Sequence, residues 1–485
     1  MLRFYNIPRW PGEPFSRREW LRIGGLAGIE LALAGKCVSS SHAAPAGASV
    51  IPGFSRARSV ILIYTSGGQS QLETWDPKPD APAEIRGEFG AIPTIVPGTF
   101  IGEHLPRLAR LADRYAIVRS VSHDDLDHGS ASYVALTGHF HPNKSSNPPA
   151  RPTDFPTYGA VLKRVRPEGR FPYSAVHVNG PALVPETIAP GQDAGFLGRD
   201  YDPLLLGDVS SGPIAVPCLD SLPELPFPRL TARQNLKSSL DEACRELERK
   251  GNFTSRQLQG MDNAYEQAFH LLSSPRSRQA FDLAAEPKKV RDRYGRHRPG
   301  QACLMARRLV EACVPLITVI WNHSNRGQDT NPQSTDAYGW DTHNDIFEAL
   351  KDRLLPRFDE GFSALLEDLD ERGLLDQTLV VCMGEFGRAP QVAVEKRFAG
   401  NSPGRKHWAS VYSIVMAGAG ITPGAVYGSS DRIAAQPQSN RVGPCDVAAT
   451  MFSALGIDPA GHYQDAFGRP FPISNGQPIS GLYGG

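Results

Sequence analysis

Thr378-Leu-Val-Val-Cys-Met383 runs directly into Gly384-Glu-Phe-Gly-Arg388. The first stretch is apolar or β-branched, without the polar alternation of a strand that has one wet face. It therefore suits a strand covered on both sides in a parallel sheet. Glu385 and Arg388 fall just past that strand's carboxyl end, where open α/β sheets place their ligands. Upstream, Ile346, Leu350, Leu354 and Phe358, then Phe362, Leu365, Leu366 and Leu369, recur at helical spacing. They predict a helix or a pair of helices with one buried face, stopped at Gly373. Similar apolar runs at Ser59–Tyr64, Pro315–Trp321 and Val411–Met416 are expected to join Thr378–Met383 in one mostly parallel sheet. Helices alternate with these runs through most of the chain, which argues for a layered α/β fold. The charged stretch from about 225 to 300 reads as a mainly helical insertion.

Three polar motifs interrupt this pattern: Gly339-Trp-Asp-Thr-His-Asn-Asp345, Gly384-Glu-Phe-Gly-Arg388 and Gly404-Arg-Lys-His-Trp408. Asp341, His343, Glu385 and His407 offer two carboxylates and two imidazoles, a donor set that suits zinc, manganese or iron better than a thiolate-bound metal. Taken singly, Asp341 is equally a cap for the helix that follows. A second cluster, His123-Asp-Asp-Leu-Asp-His128, stands between a strand and a helix, with Ser130 two positions on. His123, Asp124, Asp127 and His128 there could bind metal or hold an anion at the helix N-terminus. Glu73, Asp76 and His323 are further polar residues near strand ends, His323 directly after the Pro315–Trp321 run.

Lys plus Arg and Asp plus Glu number 51 each. With no net field, neither nucleic acid nor an anionic membrane is an expected partner. At the N-terminus, Ser16-Arg-Arg-Glu-Trp-Leu21 precedes a weakly apolar stretch and the small residues Ser41-His-Ala-Ala-Pro-Ala46. This resembles a twin-arginine signal over residues 1–46, recognised by the twin-arginine export machinery and leading to a periplasmic or extracellular location. Glu30 and Lys36 interrupt a segment already shorter than the ~20 apolar residues of a spanning helix. Chains exported by this route fold in a reducing compartment, so free thiols are expected. Cys303 and Cys313, read as one helix, stand ~15 Å apart in rise, too far for a disulfide.

Leu105-Pro-Arg-Leu-Ala-Arg-Leu-Ala-Asp-Arg-Tyr115, the polar loop after it and Ala135-Leu-Thr-Gly138 resemble the early region of sulfatases and other alkaline-phosphatase-superfamily hydrolases. Asp341 with His343, the strand ending at Glu385, and His407 follow the order of that superfamily's metal motifs. A fuller resemblance, over nearly the whole chain after the signal, is to the uncharacterised DUF1501 family. It is carried by Asp76-Pro-Lys-Pro79, Trp340-Asp-Thr-His343, Gly384-Glu-Phe-Gly-Arg388 and Gly404-Arg-Lys-His-Trp408. The resemblance implies a three-layer alkaline-phosphatase-like fold over 55–480. It also implies an exported metal-dependent hydrolase of phosphate or sulfate esters, its substrate a small molecule or a sulfated glycan. The departures matter as well. Ser66 and Gly67 stand where such hydrolases carry a metal-binding Asp, Phe386 stands in place of a His, and the Asp341-x-His343 spacing is compressed. One divalent ion held by Asp341, His343, Glu385 and His407 is therefore expected rather than two. Arg388 or Arg405 would balance charge on the ester. His128 would be a base, a ligand or a nucleophile, and Ser130 the other nucleophile candidate. The rival reading is a non-catalytic anion- or glycan-binding protein on a decayed hydrolase fold.

Overall fold

The structure, a computed structural model, describes residues 51–167, 173–184, 187–212, 214, 279–322 and 339–484. The expected signal at 1–46, positions 225–278 of the expected insertion and His323 lie outside the described residues.

In chain order the strands that matter are β1 (Ser59–Tyr64), β2 (Tyr115–Val121), β3 (Ala175–Val178), β4 (Leu204–Leu206), β5 (Leu316–Ile320) and β6 (Thr378–Met383). The short β7 (Gly387–Arg388) and β8 (His407–Trp408) follow, then β9 (Tyr412–Ala417) and β10 (Val426–Tyr427). All but β7 and β8 form one eight-stranded sheet in the order β10-β2-β9-β6-β1-β5-β3-β4. The four apolar runs are thus neighbours, as their composition predicts. β1 pairs parallel with both β6 and β5, whereas β9 runs antiparallel to β6 and to β2, which makes β9 the one reversed strand.

The strands alternate between two cores. Ile61 and Ile63 of β1 and Val380 and Cys382 of β6 face one side, packed with helices α3 (Arg298–Glu311) and α5 (Leu355–Glu371). Val60, Leu62, Leu379 and Val381 face the other, packed with α1 (His128–Thr137), α2 (Tyr158–Val165) and α6 (Pro444–Ala454). Because both faces are covered, neither needs polar residues, and three layers result. α4 (Ile346–Ala349) reaches α5 through a π turn at Leu350–Leu354. Pro356, at the second position of α5, has no N–H to continue the ladder, which accounts for the widened turn. Helix α3 ends at Glu311, so Cys313 does not share it with Cys303 as expected but lies beyond it, exposed, at φ +65°. Cys303, Cys313, Cys382 and Cys445 are free thiols.

Register positions the site. Tyr64 stands beside Ile320 on one side and Met383 on the other, so β5, β1 and β6 end flush. The chain leaving β6 then forms a two-stranded ribbon in which Arg388 lies opposite His407 and Gly387 opposite Trp408. The ribbon carries both polar side chains over the sheet's carboxyl end.

Candidate metal centre

Asp341 is the hub. Its Oδ1 lies 3.1 Å from His343 Nε2, 3.2 Å from His407 Nε2 and 2.7 Å from Arg388 Nη2. Its Oδ2 lies 3.1 Å from His128 Nε2. The Nε2 atoms of His343 and His407 are 3.0 Å apart. An ion at ~2.0–2.1 Å from tetrahedral nitrogen and oxygen ligands holds those ligands ~3.3–3.4 Å from one another. The triangle of Asp341 Oδ1, His343 Nε2 and His407 Nε2 is close to one face of such a tetrahedron. His128, Asp341 and His407 also offer ligand atoms that all lie within 4.8 Å of one another.

The rings are held by their far nitrogens. His128 Nδ1 donates to Glu385 Oε1 at 2.7 Å, because a carboxylate only accepts. Its Nε2 is left facing the hub, buried and without a hydrogen bond, the Asp341 distance lacking hydrogen-bond geometry. His407 Nδ1 donates to the Leu126 carbonyl at 2.7 Å, so its Nε2 presents a lone pair. His343 differs. Its Nδ1 has no partner among the described residues, and its ring lies flat on Phe398, with centroids 3.7 Å apart and planes 3° apart.

Burial alone would raise the Asp341 carboxyl, but the His128 and Arg388 charges beside it hold it well below its usual range. Burial would lower His128, yet Asp341 and Glu385 on either side raise it to about 9. Burial, reinforced by the His128 charge, depresses His407 to about 4, and burial also lowers His343. Without an ion, a proton on His128 occupies the space between two acids. A metal ion held there would displace that proton.

Asp341, His343, His407 and His128 therefore converge, whereas Glu385 does not join them at the common point. Its Oε1 takes the Gly67 N–H at 2.8 Å as well as His128, and its Oε2 takes the Tyr64 hydroxyl at 3.0 Å. Glu385 and His128 thus exchange the places expected for them, since Glu385, with no exposed surface, stands behind the ring rather than beside it. Arg388 faces Asp341, but its guanidinium also donates to the carbonyls of Gly67, Gly68 and Arg405. Arg405 points away into a buried pair with Glu73, Nη2 to Oε1 2.6 Å, and to the carbonyls of Ile85, Ala389 and Pro390.

The expected anion cradle at the start of α1 is filled by the chain. The N–H groups of His128, Gly129 and Ser130 go to Asp127, Asn147 and Ser146. The Ser130 hydroxyl donates to Asp125 at 2.7 Å and accepts from Ser146 N–H, so it braces the loop instead of facing the hub. His123 Nε2 holds the Glu385 carbonyl at 2.7 Å. Asp124 is exposed and paired with Lys144, and Asp127 caps α1. Tyr64, Leu126 and Phe398, which orient the cluster, carry no signal in their local sequence. Tyr64 and Leu126 act across 321 and 281 residues of chain.

A family model described as protein of unknown function (DUF1501) matches residues 57–483. Similar solved structures include a protein of the alkaline phosphatase superfamily from Vibrio parahaemolyticus (TM-score 0.39, 11% identity, 90% of this chain and 75% of that one). A sulfatase from Pseudoalteromonas sp. is another (TM-score 0.35, 13% identity, 92% and 72%). So is a phosphonate monoester hydrolase from Silicibacter pomeroyi (TM-score 0.35, 12% identity, 87% and 75%). No curated protein matches the chain.

Proposed function

The chain belongs to the DUF1501 family, and we propose that it is a metal-dependent hydrolase of phosphate or sulfate esters, built around a single ion. One observation carries this reading: three imidazoles turn Nε2 toward one carboxylate, two of those nitrogens being 3.0 Å apart. Two imidazole nitrogens this close repel unless a proton or a cation lies between them. Asp341, His343, His407 and His128 would hold the ion, which when bound supplies Lewis acidity to an ester oxygen.

The remaining steps belong to the protein. Arg388 neutralises Asp341 and fixes its orientation through 2.7 Å. Glu385 and the Leu126 carbonyl hold Nδ1–H on His128 and His407, so that both rings keep an Nε2 lone pair toward the ion. With Ser130 turned into its loop, attack by water supports a direct hydrolysis over a covalent intermediate on that hydroxyl.

A second reading, a non-catalytic anion-binding protein, is favoured by the engagement of Arg405 and the α1 N-terminus within the fold. Hydrolysis of 4-nitrophenyl phosphate and 4-nitrophenyl sulfate, measured after loading with zinc or manganese, separates the two. Turnover that disappears in His407→Ala supports the hydrolase, and stoichiometric metal with no turnover on either ester supports the binding protein. Among the described residues no helix is long and apolar enough to cross a membrane. Export by the twin-arginine route is part of the same reading, tested by Arg17→Lys/Arg18→Lys, which should leave precursor inside the cell.

A further inference from the structure

The motif that supplies Asp341 and His343 also holds a surface loop. Asn344, with no exposed surface, donates through Nδ2 to the carbonyls of Glu395 (2.9 Å), Phe398 (3.2 Å) and Ala399 (3.1 Å), and its Oδ1 accepts the Glu395 N–H at 2.7 Å. Asp345, at φ +51°, accepts the N–H groups of Asn401 and Ser402 and the Ser402 hydroxyl through one oxygen. A buried amide with this many backbone partners fixes the path of a loop, since freeing them would leave several polar groups unsatisfied. The loop in turn lays Phe398 on the His343 ring. Two residues bonded in series to Phe398, Lys396 and Arg397, stay exposed.

The charge balance at this tip is one-sided. The acids on or against the loop are engaged: Glu395 pairs with Lys406 at 2.9 Å, and Glu348 accepts from the Ser402 hydroxyl at 2.9 and 3.0 Å. Asp345 is taken up as described. Lys396 and Arg397 have neither an ion pair nor a side-chain hydrogen bond among the described residues. Within the site itself the arginines are consumed, Arg388 by Asp341 and three carbonyls, Arg405 by Glu73. A substrate carrying more than one negative group thus meets uncommitted positive charge at this tip, two exposed side chains on a held backbone, one and two residues from the ring that covers His343.

From this the geometry points to Lys396 and Arg397 as a recognition arm for a polyanionic ligand, one bearing further sulfate or phosphate groups beside the ester presented to the metal cluster. This rests on the hydrolase reading for the ester but not for the binding. Electrostatic capture by exposed side chains is expected to be strong at low salt and to fade as the Debye length shrinks.

The test is binding of dextran sulfate and, separately, of polyphosphate to the full chain at ~50 mM and ~500 mM salt. It compares wild type, Lys396→Ala/Arg397→Ala, and the control Lys288→Ala/Lys289→Ala, which removes an exposed basic pair elsewhere. The arm predicts a Kd for at least one probe that rises about tenfold or more in the first variant at low salt, a gap that narrows at high salt, and little change in the control. Which probe responds tells sulfated from phosphorylated ligands. Lys396→Gln/Arg397→Gln, which removes the charge but keeps a polar side chain, should weaken binding equally, with metal content and melting temperature unchanged. Wild type that binds neither probe, or a control that weakens binding as much, overturns the proposal. Binding through the pair with no ester turnover leaves the arm standing and removes the hydrolase. Turnover of small aryl esters by a chain that ignores both polyanions does the reverse.

Discussion

Arg405 and His407 stand two residues apart in one motif, and they are satisfied in opposite ways. Arg405 has Glu73 and three backbone carbonyls around its guanidinium, every contact a donor meeting an acceptor. His407 has another imidazole nitrogen at 3.0 Å and shares Asp341 with two further rings. The first arrangement is complete in itself. In the second, Arg388 and the raised His128 balance Asp341, while the close His343–His407 contact needs a proton or a cation between the two nitrogens. The comparison separates a side chain whose contacts are all made within the fold from one that a cation could join, though both sit in the same sequence motif.

The sharpest way to break this comparison is to change one residue on each side. Asp341→Asn keeps the volume but removes the only anion that touches all three imidazoles. Metal affinity by zinc titration should fall by more than ~100-fold, beyond the ~10–100-fold typical of outer partners, and the rise in melting temperature on adding zinc should vanish. If Asp341→Asn binds zinc as wild type does, the cluster is not the metal site. Glu73→Ala should do the converse. Leaving Arg405 buried without its acid costs ~3–5 kcal/mol of folding stability by denaturant titration, while the folded fraction still binds metal with unchanged affinity. Loss of metal affinity in folded Glu73→Ala would merge the two regions into one functional unit.

The same contrast explains what could be seen in advance. The strands were legible because apolar runs such as Ser59–Tyr64 and Thr378–Met383 have no other use than a covered sheet. Asp341, His343 and His407 were legible as residue types at strand-end motifs. Glu385 and His128 were picked out too, but not which of them faces the hub, since that depends on how each projects from a loop and a helix start. Arg405 looked equivalent to Arg388 because its partner Glu73 is 332 residues away, a distance that no local pattern spans. The local pattern also did not disclose that Asn147 and Ser146 fill the α1 N-terminus, a matter of how a later loop folds back.

Glu385→Gln sharpens the role exchange. Gln still accepts from the His128 Nδ1–H and the Gly67 N–H, so the backbone should hold, but the negative charge behind the ring is gone. Zinc affinity should fall ~10–100-fold, the usual range for a partner that orients a ligating His, with little change in the stability of the metal-free chain. A loss as complete as that of Asp341→Asn would instead make Glu385 a direct ligand.

The smallest effect is expected at Phe398, and it tests the ring in the cluster whose far nitrogen no hydrogen bond holds. His128 and His407 are turned by Glu385 and by the Leu126 carbonyl, whereas on its far side His343 has an Nδ1 without a partner among the described residues and the flat stack on Phe398. A stack of this kind is worth ~0.5–1.5 kcal/mol, so Phe398→Ala should weaken zinc binding by roughly two- to tenfold. Phe398→Tyr, which keeps the ring, should restore it. Because Asn344 holds the loop by its backbone, the stability of the metal-free chain should barely move. Equal affinity in the alanine and tyrosine variants would mean that His343 is aligned by the Asp341 contact alone. Phe398 would then cover the ring without orienting it.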